Sequence, residues 1–433
     1  MAAPATPVNR LWHPFSDMSK VVGHEFVLDR AEGVWLWDRD GKRYLDATSS
    51  LWYANIGHGR ERMADAIAAQ IRKLDAYSTF GDQANAPAIE LAERLASLSP
   101  LHDARVFLTT GGGDSIETAA KLARLHFAAL GQVERTHVIG RVEGFHGVFG
   151  FGTSIGGIEM NRNGFGPLMA DVSHVQHDSV EALEEELIRI GPERAAAFFC
   201  EPVMGAGGVL IPGERYIEGV SALCERHGVL FVSDSVICGF GRLGTWFGVE
   251  RFDMTPDMIV FAKGVTSGYL PLGGVVVSGP VAEPLWTEPT ARPFRQGTTY
   301  AGHPTCCAAA LTNLDIIEEE ELLARSLDLE SELAEVLNTA ALDGVRAGTV
   351  TEVRAGFGLL GAVELAPDLL SADPGLIVKL GLAIRSRGVM VRPLGSSIAV
   401  SPPLISTREH LEMIGDAISG ALASVTDMAK ATR

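Results

Sequence analysis

From Arg105 onward the chain alternates short, largely apolar, β-branched or aromatic runs with longer stretches whose apolar residues recur at helical spacing. No other feature narrows the fold as much, because strand-helix-strand units set consecutive strands parallel and side by side. The runs are Arg105 to Thr109, Thr136 to Val142, Ala195 to Val203, Val229 to Val236, Met258 to Ala262 and Gly274 to Ser278. Strands buried on both faces need this unbroken apolar character, so the runs predict one large, mostly parallel central sheet. Between them, Ile116, Ala120, Ala123 and Phe127 mark a helix over Asp114 to Leu130, and Glu214 to His227 reads as another, closed by Gly228.

A long, Glu-rich helix beginning near Leu314 is expected to lead into a smaller α+β lobe. There, strands near Thr351 to Glu364 and Val389 to Val400 flank a helix from Gly375 to Ser386, and a last helix follows Thr407. Near the start, Trp35 to Leu45 reads as a hairpin turning at Asp40 and Gly41, and the first hundred residues are expected to pack with the lobe. The 433 residues then divide into an N-terminal segment (1–60) that joins the small domain, a large domain (61–325) and a C-terminal small domain (326–433). A soft prior of about 150 residues per domain agrees with that division.

Charge and cysteine content exclude several function classes. A formal net charge of -18 disfavours nucleic acid and anionic membranes, both of which call for a basic surface. No apolar run reaches about eighteen residues, and the first residues lack a basic end followed by an apolar stretch, so a cytoplasmic protein acting on small molecules is expected. The five cysteines form no CxxC pair and no zinc-ligand spacing with histidine, so no metal is expected and the thiols read as buried packing residues.

The chemistry-bearing residues stand at the ends of the predicted strands. FVSDSV places Asp234 at the carboxyl end of an apolar strand, where open α/β sheets bind their ligands. Alone, such an Asp is most often a turn cap or the partner of a nearby Arg such as Arg242. The next strand delivers Lys263 at the corresponding end, where desolvation lowers an amine's pKa and exposes a nucleophile able to condense with an aldehyde. An acid and an imine-forming amine are the two groups a pyridoxal ring requires. LTTGGGDSIE adds a strand ending at Thr109 and Thr110, three glycines and a helix start, which together form an anion cradle. EGFHG supplies Phe145, an aromatic face for a planar cofactor, beside His146.

With these motifs in order, joined by EPVMGAGG from Glu201, DSVICGFGR from Asp234, FAKG with Lys263 and TTYAGHP from Thr298, the chain resembles the class III aminotransferases from about Trp12 to about Leu404. The resemblance implies a fold type I pyridoxal-phosphate enzyme: a mainly parallel seven-stranded sheet in the large domain plus a smaller α+β domain. It implies that Lys263 binds the cofactor aldehyde covalently, Asp234 pairs with the ring nitrogen, Phe145 and Val236 cover the two ring faces, and Gly112 and Gly113 hold the phosphate. It also assigns His146 and Glu201 to the cofactor site, and implies a homodimer in which Thr299 reaches the neighbouring subunit's phosphate; dimer against tetramer stays open.

The sequence departs from the family pattern at Gly111 to Gly113, where Ser-Gly-Ser/Thr is common, at Phe145, where Tyr is common, and at Ser235, where Glu is common. LWYANIGHGR and VRPLGSSIAVSPPL are similar to the pyruvate-using ω-aminotransferases, which implies that Arg392 clamps a carboxylate and that Leu51, Trp52, Phe80, Phe15 and Ala206 line the substrate pocket. Glu201 reads equally as a brace for Arg392 or for the ring oxygen. Open alternatives are another acceptor such as 2-oxoglutarate, a non-catalytic homologue, and a serine hydrolase, since Gly152 to Gly156 spells the GxSxG elbow around Ser154.

Overall fold

The computed structural model describes residues 10–286 and 293–431, with side chains through residue 425. Residues 1–9 of the expected N-terminal segment lie outside these.

The predicted alternation becomes a seven-stranded sheet in the order Arg105–Thr109, Gly273–Val277, Met258–Phe261, Leu230–Asp234, Ala195–Cys200, His137–Arg141, Val172–Val175. The last five run parallel, and Gly273–Val277 lies antiparallel to both of its neighbours. The interior strands are buried at every position, which their continuous apolar character requires. Phe198, Phe199, Phe231 and Phe261 are all but fully buried, each contributing roughly 1.5–3 kcal/mol through removal from water. One strand was not legible: Val172–Val175 is a four-residue edge strand carrying Ser173 and His174, half-buried at three positions, so it lacks the apolar run that marked the others.

Helix Gly112–Ala129 packs chiefly on Gly273–Val277 and Met258–Phe261, and helix Tyr216–His227 ends where Gly228 takes φ +60° to satisfy the last carbonyls. The expected single helix from Leu314 is two: Pro304–Glu319 and Leu322–Ala347, broken where Glu321 adopts φ +51°. The smaller lobe holds an antiparallel sheet in the order Val350–Arg354, Gly361–Leu365, Ser397–Val400, Arg392–Leu394. The hairpin of Trp35–Asp38 and Arg43–Asp46 turns at Gly41 (φ +79°) and continues the N-terminal sheet onto Val389–Met390 of the lobe. Packing with the lobe stops short of residue 100, however. Helices Glu61–Lys73 and Ala86–Leu98 pack instead on Pro304–Glu319, tied there by ion pairs such as Arg60 to Glu320 at 2.7 Å.

Among the described residues no helix is long and apolar enough to cross a membrane, and no group of His, Cys, Asp and Glu is arranged to hold a metal. All five cysteines are buried thiols.

Candidate active site

Strand register gathers the chemistry at one edge of the large sheet. Thr109 lies opposite Gly273, Phe261 opposite Gly274, Val260 opposite Asp234, and Ser233 opposite Cys200. The glycine loop, Lys263, Asp234 and Glu201 therefore emerge side by side from four different strands.

Asp234 is almost wholly buried, and its carboxylate is partnered on both oxygens. Oδ1 accepts from the amide of Val236 at 3.1 Å and Oδ2 meets Nδ1 of His146 at 2.8 Å. Arg242 is not its partner. That guanidinium lies elsewhere, bonded to Ser49, Asn55, Leu359 and Pro402. His146 is itself buried, edge-on to Phe199 with ring centroids 5.9 Å apart. Its Nδ1 hydrogen orients the carboxylate, since an imidazole nitrogen facing a carboxylate must carry the proton.

Lys263 follows its strand in a left-handed backbone conformation, φ +49°. Residues held in that region cluster at functional sites because the surroundings must impose the strain. Just after it, Asn313, buried on helix Pro304–Glu319, ties the turn down: its Nδ2 donates to the carbonyls of Gly264 and Val265 at 2.9 and 3.0 Å. The Lys263 amine sits below its ordinary pKa, first because burial disfavours the ammonium; the charges of Asp234 and Glu201 pull the other way.

Glu201 is not a brace for Arg392. Its Oε1 accepts from the amide of Phe145 at 3.2 Å and its Oε2 from Gly205 at 3.1 Å, so it fixes the loop that carries the aromatic ring. Burial raises its pKa above the usual carboxylate range. The Arg392 guanidinium makes no hydrogen bond or ion pair among the described residues. Arg392 is exposed as a residue; partial desolvation lowers the pKa of its guanidinium, and its charge adds, after burial, to the lowering at Lys263.

The glycine loop ends in a helix start with no side-chain cap, so the first amides of Gly112–Ala129 are free to meet an anion. Thr110 and Ser115 brace the loop from behind: Thr110 Oγ1 donates to Asp114 at 2.7 Å and Ser115 Oγ to the Gly111 carbonyl at 2.6 Å. Space is tight at two of the glycines. A Cβ on Gly112 would lie 3.1 Å from Cγ1 of Val236, and one on Gly113 3.2 Å from the ring of Phe149. A desolvated amine, an oriented carboxylate and a bare helix start form a donor set that fits a phosphate-bearing pyridine aldehyde.

Around this set, Phe145 is half-buried and meets the ring of Phe15 at 6.4 Å, while Ala206 lies half-buried just beyond Glu201. Trp52 is buried in a cluster with Val203 and Ile237, whereas Leu51, Phe80, Phe15 and Thr299 are exposed. Ser154 does not form a nucleophile elbow. It lies inside helix Gly150–Ile155, with Oγ donating to the Gly150 carbonyl at 2.6 Å and accepting from the Met169 amide at 3.0 Å. The glycines around it serve close packing, a Cβ on Gly152 falling 2.3 Å from the His146 carbonyl oxygen.

The family described as aminotransferase class-III matches residues 18–422. The omega-amino acid–pyruvate aminotransferase of Pseudomonas putida is 34% identical over 441 residues, 96% of each chain. A transaminase from the marine bacterium Virgibacillus shares the fold at a TM-score of 0.91 with 38% identity, over 97% of this chain and 98% of that one. An amine transaminase from an uncultivated Pseudomonas species, solved with pyridoxal phosphate bound, does so at 0.90 with 34% identity, over 96% and 99%.

Proposed function

This chain belongs to the class III aminotransferases, which use pyridoxal phosphate, and we propose that it moves the amino group of a primary amine or ω-amino acid to pyruvate, giving alanine, in two half-reactions at one site. The observation that carries this reading is the convergence of Lys263, Asp234 and the uncapped helix start at Gly112 on one sheet edge. The pyruvate aminotransferase of Pseudomonas putida among its relatives supports the choice of acceptor.

In this reading the amides at Gly112 and Gly113 would hold the phosphate, Phe145 and Val236 would flank the ring, and Lys263 would hold the aldehyde. When bound, the cofactor supplies an aldehyde that takes up the amino group and a ring that accepts the electron pair left on the substrate carbon. Asp234, held by His146, keeps a proton on the ring nitrogen. Lys263 Nζ, freed when the incoming amine takes its place at the aldehyde and with its pKa lowered by burial, would take the proton from the carbon that bears the amine. Arg392 binds the carboxylate of pyruvate through a planar, two-pronged guanidinium. With no ion pair to break among the described residues, it turns aside when the substrate is an amine lacking a carboxylate.

Leu51, Trp52, Phe15, Phe80 and Ala206 form the pocket wall, and Thr299 serves the neighbouring subunit's phosphate. The exposure of Trp12, Phe15, Phe80 and Tyr300, each more than half accessible, supports a homodimer that covers them. We read the enzyme as cytoplasmic. A panel of amines assayed with pyruvate and with 2-oxoglutarate tests the proposal. Alanine formation is expected, together with a visible absorption band that amine shifts and Lys263→Ala abolishes; turnover with 2-oxoglutarate alone refutes the acceptor.

A further inference from the structure

The segment from Ser49 to Trp52 has a backbone that its residues do not favour. Ser49, Ser50 and Trp52 have φ of +45°, +59° and +69°, and Ser50 combines its φ with ψ of −94°. Side chains rarely adopt positive φ, and three in four consecutive residues must be held there from outside.

Two buried ionic groups do the holding. Asp46, wholly buried, accepts from the amide of Thr48 at 3.1 Å, the amide of Ser50 at 2.8 Å and Nε2 of His58 at 2.9 Å, and shares the hydrogen of the Thr48 hydroxyl, 3.0 Å away, with the Ser50 carbonyl at 2.8 Å. Arg242, also wholly buried, approaches from the other side. Its Nη2 donates to Ser49 Oγ at 2.9 Å and Asn55 Oδ1 at 2.8 Å, and its Nη1 to the carbonyls of Leu359 at 3.1 Å and Pro402 at 2.6 Å. Ser49 Oγ passes its own hydrogen to the Ser401 carbonyl at 2.7 Å. The strap is thereby fastened to the chain that follows Ser397–Val400, the strand paired through Ala399 with Arg392. The same conformation buries Trp52 against Val203, Ile237 and Ala399 while Leu51 faces outward.

We propose that Asp46 and Arg242 are positioning residues of the substrate pocket, which hold the Ser49–Trp52 strap in its strained shape and thereby decide which amines fit against Trp52. The inference rests on the aminotransferase pocket proposed above. Both residue types suit such a role, because a carboxylate offers four acceptor sites without a competing donor, and a guanidinium spans four acceptors where an ammonium cannot. Asn at 46 would turn an NH2 group toward one of the donors, and Lys at 242 would leave buried acceptors unpaired.

The test uses the full-length holoenzyme with Asp46→Asn, Arg242→Lys, and Asp46→Asn combined with Ser50→Gly, since glycine takes positive φ without restraint. Both single variants are expected to keep the visible cofactor band. The ratio of kcat/KM between a small aliphatic amine and a bulkier aryl-alkyl amine should fall by about tenfold, a difference typical of a reshaped apolar pocket. Ser50→Gly should return that ratio to within about threefold of the parent. Chymotrypsin, which cuts after residues of the type of Leu51, Trp52 and Tyr53, should cleave the strap of the single variants at least about tenfold faster if the anchors keep it closed. An unmoved ratio with equal losses toward both amines, loss of the cofactor band in both single variants, or unchanged cleavage overturns the proposal. Should the parent transfer no amino group from any amine, the substrate reading fails while the cleavage rates still decide the role of the strap anchors.

Discussion

We predict that Gly112→Ala weakens cofactor binding while Gly111→Ala, one residue earlier, leaves it intact. A Cβ at position 112 lies 3.1 and 3.2 Å from the two γ-methyls of Val236 and 3.7 Å from Cβ of Ala262. Valine is stiff about χ1, so it does not swing aside; either its backbone or the helix start must give by a few tenths of an ångström. Overpacking of this kind costs about 1–3 kcal/mol. If that cost falls on the loaded state, the dissociation constant rises roughly 5- to 150-fold, at 1.4 kcal/mol per factor of ten. At Gly111 the backbone is extended, φ 174°, and a Cβ meets only Oδ1 of Asp114 at 3.8 Å, so affinity stays within about twofold, as for a substitution that touches no packed group. Gly113→Ala falls between, because its obstacle is the Phe149 ring at 3.2 Å, 51% exposed and free to turn. The assay strips the cofactor, titrates pyridoxal phosphate back and follows the visible band. Equal affinities for the Gly111 and Gly112 variants would refute the view that Val236 closes the cradle from above.

Three further outcomes are expected. In cofactor-free protein, Lys263→Met is more stable than the parent at neutral pH, because the folded amine has a pKa below the unfolded value. The parent recovers as pH rises through the lowered folded pKa toward about 10.5, so thermal melts at neutral and alkaline pH should show the gap closing; a gap that widens contradicts the sign. Ser154→Ala should keep amine turnover and lose about 1 kcal/mol of stability with its two hydrogen bonds, whereas loss of turnover with an intact cofactor band would reinstate a role for the hydroxyl. Arg392→Gln should lower kcat/KM for pyruvate by about 10- to 100-fold, the range of a lost charged hydrogen-bond pair, with little change in the half-reaction of an amine lacking a carboxylate. Equal losses in both half-reactions would remove Arg392 from carboxylate binding.

Legibility in the sequence followed burial. The strands Ala195–Cys200, Leu230–Asp234 and Met258–Phe261 were readable because a strand covered on both faces must be apolar at every position. Asp234 and Lys263 were readable for the same reason, since each charge interrupts such a run at the end where sheets bind ligands. The edge strand Val172–Val175 carried no such mark, nor did the break between the two helices at Glu321, where the change of direction occurs at a non-glycine residue. His146 was placed at the cofactor site by its motif alone. Its bond to Asp234, 88 positions along the chain, had no signal in local pattern.

Periodicity and residue type, which act over a few neighbouring positions, were enough to determine the class of fold and the strand ends on which Asp234 and Lys263 stand. Which donors face which acceptors was decided only when distant segments met. Arg242 and Asn313 are ordinary polar residues in the sequence, and each became an anchor because burial away from water compelled it to find partners 193 and 49 positions away. Hydrogen bonding is short-ranged in space and indifferent to separation along the chain, so these pairings arise from tertiary packing.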